Sequence, residues 1–276
     1  KGLEERHGAR LFDRVGRRIE MTATGRVFLP AAKATLTAAM AAETALSETT
    51  GLARGSLAIH ASQTVAAYWL PELLMRFHAT YPGVSLTLRL GNTETVAQAV
   101  IEGAADLGFI EGDLDTPALA SRIVAADRMT ILTAPGHPWA DGARRYPSEI
   151  GEGRWILREK GSGTRSAFEA SLMADGLDPA ALEVVMTLPS NEAILTALMT
   201  GPYAGVASER VAENAVAAGR LARVEYELRP RAFRMLWHKE RYRTPAARAL
   251  ADLLPRHLRQ GAAGRGRSGP VDREAG

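Results

Sequence analysis

The chain has 276 residues, with 34 Lys and Arg against 31 Asp and Glu, a net charge of +3 and no cysteine. This length suits about two domains. The lack of cysteine excludes disulfides, thiolate metal sites and a cysteine nucleophile. No apolar run approaches the roughly 18–20 residues of a membrane helix. These features predict a cytoplasmic chain with no membrane association.

The positive charge is concentrated at the two ends. Residues 1–26 and 256–276 each sum to +3, which leaves −3 for the body. A local basic segment, unlike a uniformly basic surface, indicates nucleic-acid binding at one end.

Residues 1–26 have the pattern helix, turn, strand, Arg-rich turn, strand, helix. Gly8 is placed to stop the first helix. Two short strands, at Leu11-Phe12 and at 19–21, flank a turn that contains Gly16. Thr22 is a suitable N-cap for the next helix. The pattern is typical of a winged DNA-binding module; the alternative is a solvated, charged turn on any domain.

Residues 23–50 predict a long helix with an apolar stripe that includes Leu29, Leu36 and Met40. Pro30 is expected to kink this helix or limit its first part. No second helix of the same length is present in the sequence, so two copies could pair and form a dimer. Alternatively, the helix packs on the body of its own chain.

After a Gly-rich break at 51–55, strands alternate with helices, which predicts parallel sheets with right-handed crossovers. Residues 56–126 and 129–207 repeat one βαβαβ pattern, so we expect two lobes with a ligand cleft between them. The tail from 261 is rich in Gly, Arg and Ser, which predicts disorder. The predicted strands are 56–61, 84–90, 106–110, 119–125, 128–134, 154–157, 183–187, 203–207, 221–225 and 233–238, and the helices are 65–79, 93–102, 163–174, 191–199 and 246–258.

The segment 158–165 follows a predicted strand and opens a helix. Its glycines permit a tight turn, Ser162 or Thr164 can cap the helix, and the free N–H groups of Gly163 and its neighbours would face an anion. Arg165 could add a bidentate contact. The spacing is not that of a P-loop, and an ordinary capped turn is the alternative reading.

Two further helix starts are polar in the same way. Ser62, Gln63 and Thr64 follow the first strand of one lobe, and Ser190 and Asn191 open a helix in the other. Each alone is a simple cap. Three such starts in matching places could converge on one small anionic ligand.

Evidence for catalysis is thin. The six histidines show neither metal-ligand spacing nor an HExxH motif, and there is no Gly-x-Ser-x-Gly elbow. We therefore expect no enzyme activity, no catalytic or metal-binding residues, and no cofactor.

The sequence resembles the LysR-type transcriptional regulators over about residues 1–258. The long helix after residue 22 is part of the resemblance. The motifs that carry it are Leu3-Glu4, Gly8, Leu11-Phe12, Arg14, Arg17, Thr22 and Gly25, then Tyr81-Pro82-Gly83-Val84, Gly103, Asp106-Leu107-Gly108, His137-Pro138, Gly161-Ser162-Gly163-Thr164-Arg165 and Ser190-Asn191-Glu192.

The resemblance implies an α/β chain in several parts. These are a partial winged helix-turn-helix (1–25), a linker and dimerisation helix (26–50) and a two-lobed effector domain like the type 2 periplasmic binding proteins. Lobe one would comprise 55–126 and 233–258, and lobe two 129–230, with the tail at 261–276.

The resemblance also implies partners. Promoter DNA would bind the intact protein, as a homodimer or homotetramer, and Arg14, Arg17 and Arg18 of the wing would contact phosphates or the minor groove. The effector would lie between the lobes, and the Gly-Ser-Gly-Thr-Arg variant looks like subgroups that sense anionic metabolites. Its implied ligands are Ser62, Gln63, Thr64, Ser162, Gly163, Thr164, Arg165, Ser190 and Asn191.

In this family most of the recognition helix precedes the Leu-Glu pair, whereas here only two residues precede Leu3. We therefore expect this chain by itself to bind operator DNA poorly. Two other classes of protein remain as alternatives. One is a solute-binding protein for a small anion, which the basic segment disfavours; the other is a transferase or lyase, which lacks a convincing acid–base or nucleophile cluster.

Overall fold

The computed structural model describes residues 2–16, 18–47 and 55–254. The predictions for Arg17, for residues 48–50 and for the tail at 261–276 lie outside the described residues, as does the Met40 side chain in the predicted stripe. Within the described part, no helix combines the length and apolarity needed to cross a bilayer.

The N-terminal module consists of helix α1, the antiparallel hairpin β1–β2 and the long helix α2. Gly8 ends α1 with a φ of +63°, in the left-handed region that favours glycine. Thr22 caps α2, since its hydroxyl accepts a hydrogen bond from the Gly25 amide at 2.9 Å. The predictions for Gly8 and Thr22 are therefore confirmed. The bounds are α1 Gly2–His7, β1 Phe12–Val15, β2 Arg18–Met21 and α2 Ala23–Ser47.

Helix α2 and the hairpin approach each other closely at Gly25. The glycine is buried, and a Cβ there would lie 2.2 Å from the Leu11 carbonyl oxygen and 2.6 Å from the Met21 Cγ. The Thr22 amide also donates to the Leu11 carbonyl at 3.0 Å. The contact fixes the direction in which α2 leaves the hairpin.

Pro30 does not end α2, which continues to Ser47. Lys33 of this helix forms an ion pair with Glu102, at 3.1 Å, in the body of the chain. Hydrogen bonds from Gln98 and then Lys33 hold the pKa of Glu102 below its usual value. The linker helix thus contacts the body at a defined point.

The first sheet has the strand order β4-β3-β5-β12-β6. Strand β3 is parallel to both β4 and β5, whereas β12 runs antiparallel to β5 and β6. We call this sheet and its helices lobe one. Its elements are β3 Gly55–Ser62, α3 Gln63–Tyr68, α4 Leu70–Thr80, β4 Val84–Gly91, α5 Thr93–Glu102, β5 Leu107–Glu111, β6 Leu119–Asp127, β12 Arg231–His238 and α10 Pro245–Asp252.

The second sheet has the order β11-β7-β10-β8-β9 and is called lobe two here. Strands β8, β9 and β10 are parallel, and β7 runs antiparallel to β10 and β11. Its elements are β7 Met129–Thr133, α6 Pro147–Gly151, β8 Arg154–Arg158, α7 Gly163–Ala174, β9 Glu183–Leu188, α8 Asn191–Leu198, β10 Ala204–Ser208, α9 Glu209–Ala217 and β11 Ala222–Val224.

The following details are among those that differ from the sequence prediction. Both sheets are mixed, because the chain crosses between the lobes after β6 and returns into lobe one as β12. The helix predicted at 65–79 is in fact two helices that meet at Trp69. The backbone of Trp69 has a φ of −134°, which lies outside the helical region. Pro71 also has no amide N–H to continue the first helix. Helix α9 was missed, although Ser208 caps it.

Each lobe has its own apolar core. In lobe one, Phe77, Phe109 and Phe233 are fully buried in one cluster. In lobe two, Trp155 and Phe168 pack with ring centroids 4.8 Å apart. Since each sheet buries its own core, contacts between the lobes are left to polar side chains at the strand ends.

We expect Gly25→Ala to destabilise the N-terminal module by about 1–3 kcal/mol, because the added methyl overpacks the contact with Leu11. Alanine usually stabilises a helix relative to glycine by about 1 kcal/mol. A loss of stability in this variant would therefore show that the close contact outweighs helix propensity. Hydrogen exchange at Thr22 and Arg26 measures the effect. Gly2→Ala in α1 is the control, since a Cβ there meets no atom within 4 Å; unchanged protection at Thr22 would contradict the prediction.

Candidate functional site

Helix α7 begins at the end of β8, at the edge where the two lobes meet. Gly161 turns the chain with a φ of +84°, and Ser162 stands at the N-cap with extended backbone but makes no side-chain cap bond. The Ser166 amide closes the first turn on the Ser162 carbonyl at 3.0 Å. The first amides of a helix have no acceptor within it, so this start presents N–H donors. The predicted helix bounds, 163–174, are confirmed.

Lobe one approaches this helix start very closely. The Glu94 amide donates to the Gly161 carbonyl at 3.3 Å. A Cβ on Gly163 would lie 2.6 Å from the Glu111 carbonyl oxygen and 2.6 Å from the Thr93 hydroxyl. Only glycine permits this approach of the two lobes.

Gln63 of lobe one bridges to lobe two through both ends of its amide. Its Nε2 donates to the Pro189 carbonyl at 2.9 Å, and its Oε1 accepts from the Asn191 amide at 3.0 Å. The Asn191 side chain donates in turn to the Thr64 hydroxyl at 3.2 Å. The structure thus brings together residues from two of the three polar helix starts that the sequence singled out.

Ser62 and Ser190 have local roles in the structure. The Ser62 hydroxyl donates to the Phe109 carbonyl of its own lobe at 3.3 Å. The Ser190 hydroxyl accepts from the Ala193 amide at 3.1 Å and caps α8. Both therefore support the helix starts on which their neighbours lie.

Arg165 lies on α7, but its guanidinium points along the helix. Its Nε donates to Glu169 at 2.7 Å and its Nη1 donates to the Arg158 carbonyl at 3.2 Å. The structure places Arg165 beside the site, with its guanidinium held by lobe two.

Two buried arginines lie in the site that sequence reasoning did not select as ligands. Arg158, at the end of β8, donates to the Asn191 side-chain oxygen at 2.7 Å and pairs with Glu159 at 2.8 Å. Arg231, at the start of β12, pairs with Asp127 at 2.8 Å and donates to the Thr164 hydroxyl at 2.9 Å. Arg158 is the first residue of the segment 158–165 that the sequence analysis selected. Arg231 belongs to no local motif, and its place in the site follows only from the pairing of β12 with β5 and β6.

The Arg231 side chain is 2 % exposed, and its Nη2 has no hydrogen-bond partner among the described residues. A buried donor without an acceptor is costly and calls for an explanation. Nη1 of the same guanidinium donates to Thr164 in the first turn of α7, so the unpaired nitrogen belongs to a group that contacts this turn. An oxyanion there would accept from both the arginine and the helix amides.

Further contacts join the lobes beside the site. The Asn92 side chain donates to Glu159 at 3.3 Å. Burial raises the pKa of Tyr68 above its usual value, and the carboxylate of Glu192 in the other lobe adds to the shift. The edge between the lobes is thus polar along its length.

The basic hairpin lies at the other end of the chain. Arg14 pairs with Ile19 and Val15 with Arg18, and Gly16 forms the turn with a φ of +62°. Arg14 and Arg18 are exposed, so the structure leaves their guanidinium groups accessible to a partner; Arg17 is not among the described residues. Within the part of the chain that is described, no group of three or more His, Cys, Asp or Glu side chains could hold a metal ion.

We expect Gly163→Ala to weaken the contact between the lobes, because the methyl would overlap the Glu111 carbonyl. Overpacking of this kind costs about 1–3 kcal/mol, and each kcal/mol lowers Tm by about 2–4 °C in a protein of this size. Small-angle scattering should also show a larger radius of gyration. Gly136→Ala, in the same lobe with no atom within 4 Å of its Cβ, is the control; equal Tm values for both variants would argue against a close contact at Gly163.

Comparisons with known proteins agree with this arrangement. The sequence model of the LysR substrate binding domain matches residues 50–259. The chain is 35% identical over 253 residues to the uncharacterized HTH-type transcriptional regulator YeiE of Escherichia coli K12. The matched region covers 91% of this chain and 83% of YeiE.

Two solved structures have the same fold. The regulatory domain of Synechocystis PCC6803 CcmR, in complex with 2-PG, has a TM-score of 0.65 at 23% identity and covers 72% of this chain and 95% of that one. Full-length CbnR, complexed with target DNA, has a TM-score of 0.68 at 18% identity and covers 92% and 86%. They confirm the predicted α/β effector domain. With the family match over 50–259 and the 35% identity to YeiE, they lead to one conclusion: the chain belongs to the LysR-type family of transcriptional regulators.

Proposed function

We propose that the protein regulates transcription by binding promoter DNA through an N-terminal module that includes residues 1–25, under the control of a small oxyanion bound between the two lobes. Membership of the LysR-type family supports the regulatory role and confirms the prediction that the chain is not an enzyme. The alternative of a solute-binding protein is not favoured, because the relative YeiE is named as a transcriptional regulator.

The unpaired Nη2 of Arg231 is the observation that supports an anionic effector most directly. The side chain is buried, it is fixed by Asp127, and it lies at the start of a 12-residue helix. The helix amides and the guanidinium would both donate to the anion. The 2-PG complex of the CcmR regulatory domain supports a small-molecule effector for this domain.

The polar residues around this point would complete the effector site. Gln63, Thr64 and Asn191 already bond across the lobes, and Ser62 and Ser190 hold the helix starts that carry them. Ser162, Gly163 and Thr164 form the beginning of α7. Arg165 would join them by moving away from Glu169.

We also propose the domain division predicted from the sequence. A DNA-binding part at 1–25 and a linker at 26–50 would precede lobe one (55–126 and 233–258) and lobe two (129–230). We further propose that the chain acts as a homodimer or homotetramer in the cytoplasm, where promoter DNA is found. The exposed Leu36 on α2, 66 % accessible, supports pairing of two linker helices.

We expect Arg231→Lys to lower the affinity for inorganic phosphate, measured by calorimetry on the full chain, by about tenfold to a hundredfold. Lysine keeps the charge near Asp127 but cannot present the second guanidinium nitrogen, and a hydrogen bond to a charged group contributes about 1.5–3 kcal/mol. Arg229→Lys, an exposed neighbour, is the matched control. If phosphate binds the Arg231→Lys variant as tightly as wild type, Arg231 is not a ligand.

We expect the double variant Arg14→Ala/Arg18→Ala to weaken duplex DNA binding and to reduce its salt dependence. Each lost phosphate contact should lower the slope of log affinity against log salt by about 1. Fluorescence anisotropy over a salt series measures this slope. The control variant Arg220→Ala/Arg223→Ala removes two exposed arginines from lobe two and should leave the salt slope unchanged. An unaltered slope in the Arg14→Ala/Arg18→Ala variant would contradict the DNA contact.

A further inference from the structure

The buried carboxylate of Glu111 lies directly across from the start of α7. Glu111 ends β5 and is 3 % exposed. Its Oε1 accepts from the Thr64 amide at 3.2 Å. Its Oε2 lies 3.0 Å from the position that a Cβ on Gly163 would take, and no described residue donates a hydrogen bond to it. One oxygen of this carboxylate therefore still has acceptor capacity at the site.

Glu111 also has no counter-ion among the described residues. The other acidic side chains nearby are compensated in different ways: Glu159 pairs with Arg158 and Asp127 pairs with Arg231, while Glu94 is exposed to solvent. A buried carboxylate without a cationic partner is unfavourable unless donors satisfy it. Glu111 is thus a charged side chain in the site that a hydrogen-bond donor of a ligand would stabilise.

Glu111 and Arg231 point to the same side of the sheet. Glu111 is opposite Phe233 on the neighbouring strand, and Arg231 precedes Phe233 by two residues, which puts all three on one face. They contact consecutive residues of the same helix turn, Gly163 and Thr164. Nevertheless, no ion pair joins Glu111 to Arg231 in the described part of the chain. A carboxylate oxygen that can still accept a hydrogen bond and an arginine with one unpaired nitrogen are therefore both held next to the first turn of α7.

We propose that the effector carries a hydrogen-bond donor next to its oxyanion, and that Glu111 selects this donor while Arg231 and the start of α7 hold the oxyanion. This inference rests on the proposed anion site and adds the class of ligand. The donor can be an ammonium group, a hydroxyl group or the proton of a partly protonated oxyanion. A fully ionised anion such as sulfate would place an oxygen lone pair against the Glu111 carboxylate.

The site should strongly prefer an anion that carries a hydrogen-bond donor over an otherwise similar anion that lacks one. A site built to hydrogen-bond a donor rejects the analogue that lacks it, because the buried polar group is then left unpaired. Leaving one buried charged acceptor unsatisfied corresponds to roughly a tenfold to a hundredfold loss of affinity. Without Glu111, the oxyanion contacts alone would not distinguish the two kinds of ligand.

Calorimetry on the full chain with matched anions tests the proposal. The pairs are phosphate against sulfate and glycolate against acetate, with glycine as the ammonium-bearing probe, all at neutral pH. We expect at least one donor-bearing probe to bind ten times more tightly than its donor-free counterpart. Whichever of phosphate, glycolate and glycine binds best identifies the kind of donor.

Glu111→Gln removes the charge and supplies a donor of its own. We expect this variant to bind donor-free and donor-bearing anions within about threefold of each other, chiefly because sulfate and acetate gain affinity. Asp115→Asn, which removes an exposed carboxylate just beyond β5, should keep the wild-type preference.

The outcomes separate this inference from the proposed function. Anion binding by wild type without preference for a donor overturns the inference alone, and that comparison needs no variant. A preference that persists in folded Glu111→Gln also overturns it. Failure of every probe to bind overturns the proposed anion site and this inference together.

Discussion

The ion pair between Asp127 and Arg231 holds the points where the chain crosses between the lobes. Asp127 ends β6, just before the chain enters lobe two, and Arg231 begins β12, where it returns. Ser208 at the cap of α9 donates to the same carboxylate at 2.7 Å, and Thr164 of α7 accepts from the same guanidinium. One buried pair thus fixes two strands of lobe one and two helices of lobe two. Such a pair is costly when one partner is removed, by about 3–5 kcal/mol, so the lobes depend on it for their relative placement.

Local chemistry in the sequence is enough for part of the fold. The helix end at Gly8, the cap at Thr22 and the start of α7 can be predicted from short stretches of sequence, because caps and left-handed turns depend on a residue and its near neighbours. The direction of a strand depends on the partner it meets. Strand β12 lies antiparallel in the first sheet only because the chain has crossed to lobe two and back, and nothing in residues 231–238 encodes that path.

The same distinction applies to the candidate site. Gln63 and Asn191 were recognisable because polar residues at helix starts point away from the core. Glu111 and Arg231 were not, since each stands in or beside an apolar strand where a charged side chain is read as an edge residue. Their burial follows from the approach of the second lobe, which is a property of the whole chain. Buried charge is where function is expected to concentrate, so the least predictable residues carry much of the proposed recognition.

Helix α5 carries a contact to a different part of the molecule at each of its ends. At its first turn, Asn92 holds Glu159 of lobe two, and at its last turn, Glu102 holds Lys33 of the linker helix. Its ten residues span about 15 Å as a stiff rod. The contact of lobe one with lobe two at Asn92 and its contact with the linker helix at Glu102 therefore lie at opposite ends of one helix, which fixes the distance between them.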